Sequence, residues 1–211
     1  MTRIIPIIIY ILETIVLYKV ASKDEEYLHI AGRENLFTKR DNIEIICLSI
    51  CWILHLCLQS GVTPYLCSIT LPYLTISEVC DRLTKMVYVT PYYIFIIITL
   101  VLDLLGAYST PGTGIVMIIL FTSVMARTHL VGGGDEGMMA IVGIIDYSIH
   151  KDTVEALLMI CIMILIASVM QYILAVKRHN MDGFFKMKEP MAFGPVLTFA
   201  TLILLYLRMF I

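Results

Sequence analysis

The sequence predicts an all-α, polytopic membrane protein with about eight transmembrane helices and its N-terminus outside. Of its 211 residues, 59% are hydrophobic and only 15% are charged, and the mean hydropathy is +0.89. These values lie far from those of a soluble domain. No internal repeat, low-complexity tract or linker divides the chain, so 1–211 is predicted to form a single membrane-embedded domain.

Eight apolar runs approach the length of about 17–20 residues that crosses a hydrocarbon layer roughly 30 Å thick. The third is interrupted by Pro64 and Pro72, and the sixth is only about 14 residues long, so that helix would be short or tilted. The predicted spans are 4–20, 43–59, 63–80, 88–108, 114–130, 137–150, 153–176 and 191–210.

The basic residues support this arrangement, because Lys and Arg collect in the cytoplasmic loops of membrane proteins. With the N-terminus outside, 12 of the 15 fall in inner loops: Lys19, Lys23, Arg33, Lys39, Arg40, Arg82, Lys85, Arg127, Lys177, Arg178, Lys186 and Lys188. The same topology makes 21–42 a cytoplasmic surface loop, with too few apolar residues for a core of its own. It also places Asp81 and Asp135 at the cytoplasmic face.

Several classes of function find no support in the residues. The net charge is -2 and no basic stripe stands out, so no nucleic-acid partner is expected. There is no Gly-x-Ser-x-Gly elbow, no HExxH pair and no P-loop Lys. Cys47, Cys51 and His55 form an i, i+4 row but lack a fourth zinc ligand nearby, which favours packing. No metal and no cofactor are therefore predicted, and the lipid bilayer is the expected surrounding.

Acids inside membrane spans are costly and are therefore candidates for function. Glu13 and Asp103 stand among aliphatic residues, which favours hydrogen bonds across helices, and Asp146 lies near an outer interface. Asp81 and Asp135 each stand where a span meets a cytoplasmic loop. A solvated helix end explains either acid alone, whereas the pair suggests chemistry.

Two carboxyl groups that face each other in a low-dielectric site share a proton. The ionised member can then activate water while the protonated member hydrogen-bonds a scissile carbonyl. The glycines of 132–134 would let an extended segment approach closely, and irregular backbone is tolerated at that depth where it lines a wet cavity. This pattern predicts an aspartic endopeptidase.

Three segments in order resemble the type IV prepilin peptidases, membrane aspartic proteases of the Gly-x-Gly-Asp type. Gly132-Gly133-Gly134-Asp135 matches the motif. Asp81, followed by Arg82 and Lys85, is similar to the family's first aspartate. The stretch 189–197 resembles the Pro-Phe-Gly-Pro sequence that opens its last helix. The resemblance covers 63–210, which is expected to form a peptidase-like helical core.

The resemblance implies that Asp81 and Asp135 are catalytic. It implies removal of the leader peptide from type IV pilin-like or archaellin-like precursors, at the cytoplasmic face of the plasma membrane. Residues expected to bind substrate or support the backbone are Gly132, Gly133, Gly134, Pro190, Phe193, Gly194 and Pro195.

The chain also departs from the family. Gly137 stands where a Lys is usual, and no Pro closely follows Asp81. The 21–42 loop lacks the paired CxxC motifs of members that also methylate their product, so N-methyltransferase activity is not expected. The alternatives are an inactive relative, or a non-enzymatic polytopic protein, such as a small transporter or assembly scaffold, that uses Asp103 and Glu13.

Overall fold

The computed structural model is an all-α protein in the parts of the chain that it describes. These are residues 4–59, 63–85, 92, 94, 96–98, 101, 112–128, 133–178 and 191–207, and no strand occurs among them. The all-α prediction is confirmed. The predicted span 88–108 falls largely outside the described residues, although those described from 92 to 101 are helical.

Seven further helices follow predicted apolar runs, and one short helix in the 21–42 segment brings the number to eight in the described residues. They are α1 (Ile4–Ser22), α2 (Glu25–Ala31), α3 (Lys39–Leu58), α4 (Thr63–Thr84), α5 (Thr113–Arg127), α6 (Gly133–His150), α7 (Thr153–Lys177) and α8 (Gly194–Leu207).

The helices of this chain support association with a membrane. Among the described residues, α1, α3 and α7 are long and apolar enough to cross one, and α5 and α8 are shorter apolar helices. Large apolar side chains such as Leu12, Ile46 and Leu165 are more than half exposed. Lipid contact would explain that exposure, since soluble proteins rarely expose large apolar patches.

The segment 21–42 is partly helical and packs on the bundle. The Asp24 side chain accepts the N–H groups of Glu26 and Tyr27 and so caps α2, as expected for an Asp before a helix. Gly32 ends α2 in the left-handed conformation with φ 61°. Buried Tyr27, Leu36 and Phe37 of this segment then share a cluster with Ile76, Val79 and Cys80 of α4.

Contacts in the first half of the chain fix the directions of α1, α3 and α4. The Tyr10 hydroxyl lies 3.1 Å from those of Ser49 and Thr75 near the middle of the three helices. Further along α4, Arg82 reaches back to Glu44, near the start of α3. Tyr18, near the end of α1, donates to Asn42 near the start of α3. Therefore α3 runs antiparallel to both α1 and α4.

The second half of the chain continues the alternation. Gly143 of α6 faces Ile160 of α7, and Thr201 of α8 donates to Met163 Sδ of α7 at 3.1 Å. Gln171, nearer the end of α7, donates to the carbonyl of Met191. Successive helices are thus antiparallel, so α6 and α8 run in the same direction.

The two halves meet where Asp81 accepts a hydrogen bond from the N–H of Gly194. The C-terminal end of α4 therefore lies beside the N-terminal end of α8. At the other end of α8, Tyr206 donates to the carbonyl of Cys51. The ends of α1, α4, α5 and α7 and the starts of α3, α6 and α8 accordingly gather at one end of the bundle, which we call the Asp81 end.

Candidate active site

A buried polar face of α4 leads to the Asp81 end. Tyr73, Ser77 and Asp81 are spaced four residues apart and so lie on one side of the helix. Their exposed fractions are 3%, 1% and 6%. Tyr73 lies close to Gly137 of α6 and Asp81 contacts the start of α8, so this face is directed between α6 and α8.

The Asp81 carboxylate is held by the backbone at the start of α8. Its Oδ2 accepts the N–H of Gly194 at 2.7 Å. Asp81 lies just beyond the predicted span 63–80. Burial of its carboxyl raises the pKa of that group. The backbone N–H groups of Gly194 and Phe193 and the charge of Lys85 oppose that rise. Asp81 therefore keeps its proton to a higher pH than an ordinary aspartate.

Gly194 is required by the closeness of this contact. A Cβ at that position would lie 2.9 Å from Asp81 Oδ2 and 3.2 Å from Asp81 Cβ. Any larger residue would push the carboxylate away from the N–H group. The glycine of the Pro-Phe-Gly-Pro-like stretch thus has a local role in positioning Asp81.

Asp135 lies in the first turn of α6 and is 8% exposed. The backbone here differs from the expected irregular segment, because Gly133 and Gly134 are already helical. Asp135 and Glu136 explain the early start, since acids in the first turn interact favourably with the positive end of the helix dipole. Gly132 lies outside the described residues.

Asp81 and Asp135 lie on neighbouring helices at similar depth. Since α6 and α8 are parallel, depth can be counted from the α7 residues that touch both. Asp135 lies eight residues, or about 12 Å, from Gly143 toward the Asp81 end at about 1.5 Å per residue. Gly143 faces Ile160, and Met163, about 4.5 Å nearer the Asp81 end, contacts Thr201. Gly194 lies about 10.5 Å beyond Thr201, which places it about 15 Å from the level of Gly143. The two depths differ by roughly 3 Å, less than one helical turn. α4 packs directly on both α6 and α8.

Aromatic rings surround Gly137, the position at which the prepilin peptidases that the chain resembles usually carry Lys. A Cβ on Gly137 would lie 3.0 Å from Tyr92 Cγ and 3.2 Å from the Tyr73 hydroxyl oxygen. Tyr73 also interacts electrostatically with Asp135. Any side chain at 137 would therefore press on these rings, because even its Cβ would lie closer to them than ordinary van der Waals contact.

Arg82, which follows Asp81, anchors α4 to α3. Its guanidinium lies 2.8 Å from Asp41 Oδ1 and 2.6 Å from Glu44 Oε2. Asp41 also forms a capping box with Thr38 at the start of α3. Arg82 thus holds the end of α4 against α3, which carries both of these acidic partners.

The remaining predicted positions have mixed outcomes. Phe193 packs against the core and Pro195 is in the first turn of α8, whereas Pro190 and Asp103 lie outside the described residues. Asp146, expected at an interface, is instead fully buried, with His150 Nε2 3.8 Å away.

Sequence reasoning missed Tyr73. Its spacing from Asp81, two steps of four residues, was a usable signal, because it places both on one helical face. Within the described parts of the chain, no group of three or more His, Cys, Asp or Glu residues could hold a metal ion.

The fold and site define an all-α, membrane-associated protein in which Asp81 and Asp135 are buried at one end of the bundle. No family model, no curated protein and no solved structure matches this chain.

Proposed function

We propose that this chain is an intramembrane aspartic endopeptidase that removes the leader peptide from type IV pilin-like or archaellin-like precursors. The observation that carries the proposal is the buried Asp81 carboxylate, held by the Gly194 N–H at the end of the bundle where Asp135 begins α6. The motif resemblance supplies the substrate class, and the contacts of Arg82 and Gly194 give these two residues of the similar segments local roles around Asp81.

The two aspartates would share one proton. Burial raises the pKa of Asp81, which favours it as the protonated member and leaves the role of the ionised member to Asp135. Asp135 would take a proton from water as that water attacks the scissile carbonyl, and Asp81 would hydrogen-bond the carbonyl oxygen. Collapse of the tetrahedral intermediate breaks the C–N bond, and the amine leaves with a proton from the pair. No metal or covalent intermediate is needed.

The proposed topology has eight spans, the N-terminus outside and the active site at the cytoplasmic face of the plasma membrane. Basic residues at the Asp81 end support it, because Lys and Arg favour the cytoplasmic side. Helix ends carrying them include those of α1 (Lys19), α4 (Arg82), α5 (Arg127) and α7 (Lys177).

Co-expression with candidate pilin precursors tests the proposal. We expect Asp81→Asn and Asp135→Asn each to abolish the size shift of the precursor while the protein still inserts and accumulates. Asp152→Asn is the matched control: Asp152 caps α7, and Asn caps almost as well, so this variant should process normally. Cleavage that persists in either dyad variant rules out the assigned residues.

A further inference from the structure

A cavity of about 180 Å³ lies between α1, α4, α6 and the helical residues near 94–98. Three polar side chains line it, Glu13, Thr70 and Tyr73, and the rest of its wall is aliphatic. Glu13 thus borders a partly open space between helices, since Val16 and Ile94 of its lining are more than half exposed. The sequence predicted a hydrogen bond across helices for Glu13 instead.

The polar groups of this cavity have unused hydrogen-bonding capacity. The Tyr73 hydroxyl is buried and has no hydrogen-bond partner of normal distance and angle among the described residues. Within the same part of the chain, the Glu13 carboxyl has no hydrogen-bond or ion-pair partner. Thr70 donates to the carbonyl of Leu66 at 3.1 Å, which leaves its hydroxyl oxygen able to accept a bond.

These properties match the requirements for buried water. A cavity holds water when it is polar, has room for it and offers each molecule two to four partners. At roughly 30 Å³ for each water molecule, this cavity has room for several. A buried hydroxyl and a half-buried acid left unbonded beside apolar side chains would be unfavourable.

We propose that this cavity is a hydrated site in which ordered water bridges the Glu13 carboxyl to the hydroxyl groups of Tyr73 and Thr70. The Tyr73 hydroxyl also abuts Gly137 in the second turn of α6. The water network therefore links α1 through Tyr73 to the helix that carries Asp135, and Glu13 becomes a positioning residue for that contact. The inference does not depend on the proposed peptidase activity.

Radiolytic footprinting of the full chain in lipid nanodiscs, in water labelled with ¹⁸O, tests the site. Radicals formed from bound water oxidise the side chains beside it, even when these are buried. Tyr73 and Tyr147 are equally buried, each 3% exposed, and Tyr147 does not line the cavity. We expect Tyr73 to incorporate label several-fold faster than Tyr147. Equal, slow labelling of both would overturn the proposal.

Two variants of Glu13 test its role in holding the water. Glu13→Gln keeps a hydrogen-bonding side chain and should leave Tyr73 labelling near the wild-type rate. Glu13→Leu removes both polar atoms and should reduce labelling to the Tyr147 rate. Unchanged labelling in Glu13→Leu would overturn the bridging role. If that variant fails to fold, the comparison of Tyr73 with Tyr147 in the wild-type protein still decides whether water is present.

Discussion

Replacing Gly194 with Ala should break the contact that holds Asp81. The added Cβ would lie 2.9 Å from Asp81 Oδ2, closer than side-chain carbons approach, so the carboxylate must rotate away from the Gly194 N–H. The hydrogen bond of 2.7 Å between these groups is then lost. Processing should fall together with stability, because the proposed catalytic carboxyl is displaced.

The magnitude follows from the kind of bond that is lost. At a pH high enough to ionise Asp81, this hydrogen bond is to a charged group and contributes about 1.5–3 kcal/mol to the free energy of unfolding. Ala also favours helix by up to about 1 kcal/mol over Gly, which partly offsets the loss. Introducing Gly194→Ala into the Asp81→Ala variant separates the two effects. The contact is already absent in that variant, so Gly194→Ala should show only the gain in helix propensity.

The assay is a double-mutant cycle on the free energy of unfolding in detergent or bicelles. The four proteins are the wild type, Gly194→Ala, Asp81→Ala and the double variant. We expect a coupling of about 1.5–3 kcal/mol between the two positions. A coupling near zero, with Gly194→Ala equally costly in both backgrounds, would refute the assignment of Gly194 as the partner of Asp81.

Three further predictions concern other positions. Gly137→Lys, which introduces the family's usual residue, should lower the free energy of unfolding by at least about 1–3 kcal/mol because it overpacks Tyr92; normal stability with faster processing would contradict this. Lys85→Ala removes a charge that lowers the pKa of Asp81, so Asp81 should stay protonated to a higher pH. The pH at which processing falls off on the alkaline side should therefore rise, and an unchanged or lower value would contradict this. Lys151 has φ 60°, so Lys151→Gly should raise the free energy of unfolding by about 1 kcal/mol in a denaturation experiment, and a lower melting temperature would be unexpected.

The positions of the helices were largely predictable, because each depends on a local run of apolar residues. α7 begins at Thr153, the residue where the apolar run was predicted to begin. The start of α6 was predicted four residues too late, since a glycine run indicates a flexible backbone unless the stabilising effect of Asp135 and Glu136 on a helix start is included. The local pattern of apolar residues thus predicted where α6 lies, whereas the residue at which the helix begins depends on electrostatics.

The contacts of the site were less predictable, because they join residues far apart in the chain. Asp81 and Asp135 were identified as a pair from their place in the topology, yet nothing in the sequence near Asp81 indicates that Gly194 is its donor. The rings that occupy the space at Gly137 come from α4 and from Tyr92. Such packing depends on how the helices are arranged in three dimensions, which composition and spacing do not determine.

The hydrogen bond between Asp81 and Gly194 also has a consequence for the order of assembly. The two residues are 113 positions apart, and domains fold progressively as a chain is synthesised. A ribosome must therefore add more than a hundred residues after Asp81 before its carboxylate can acquire this donor. Until then Asp81 lacks the hydrogen bond that orients it. A nascent chain that already contains both aspartates would therefore still be inactive. Any hydrolytic activity would begin only once α8 has docked.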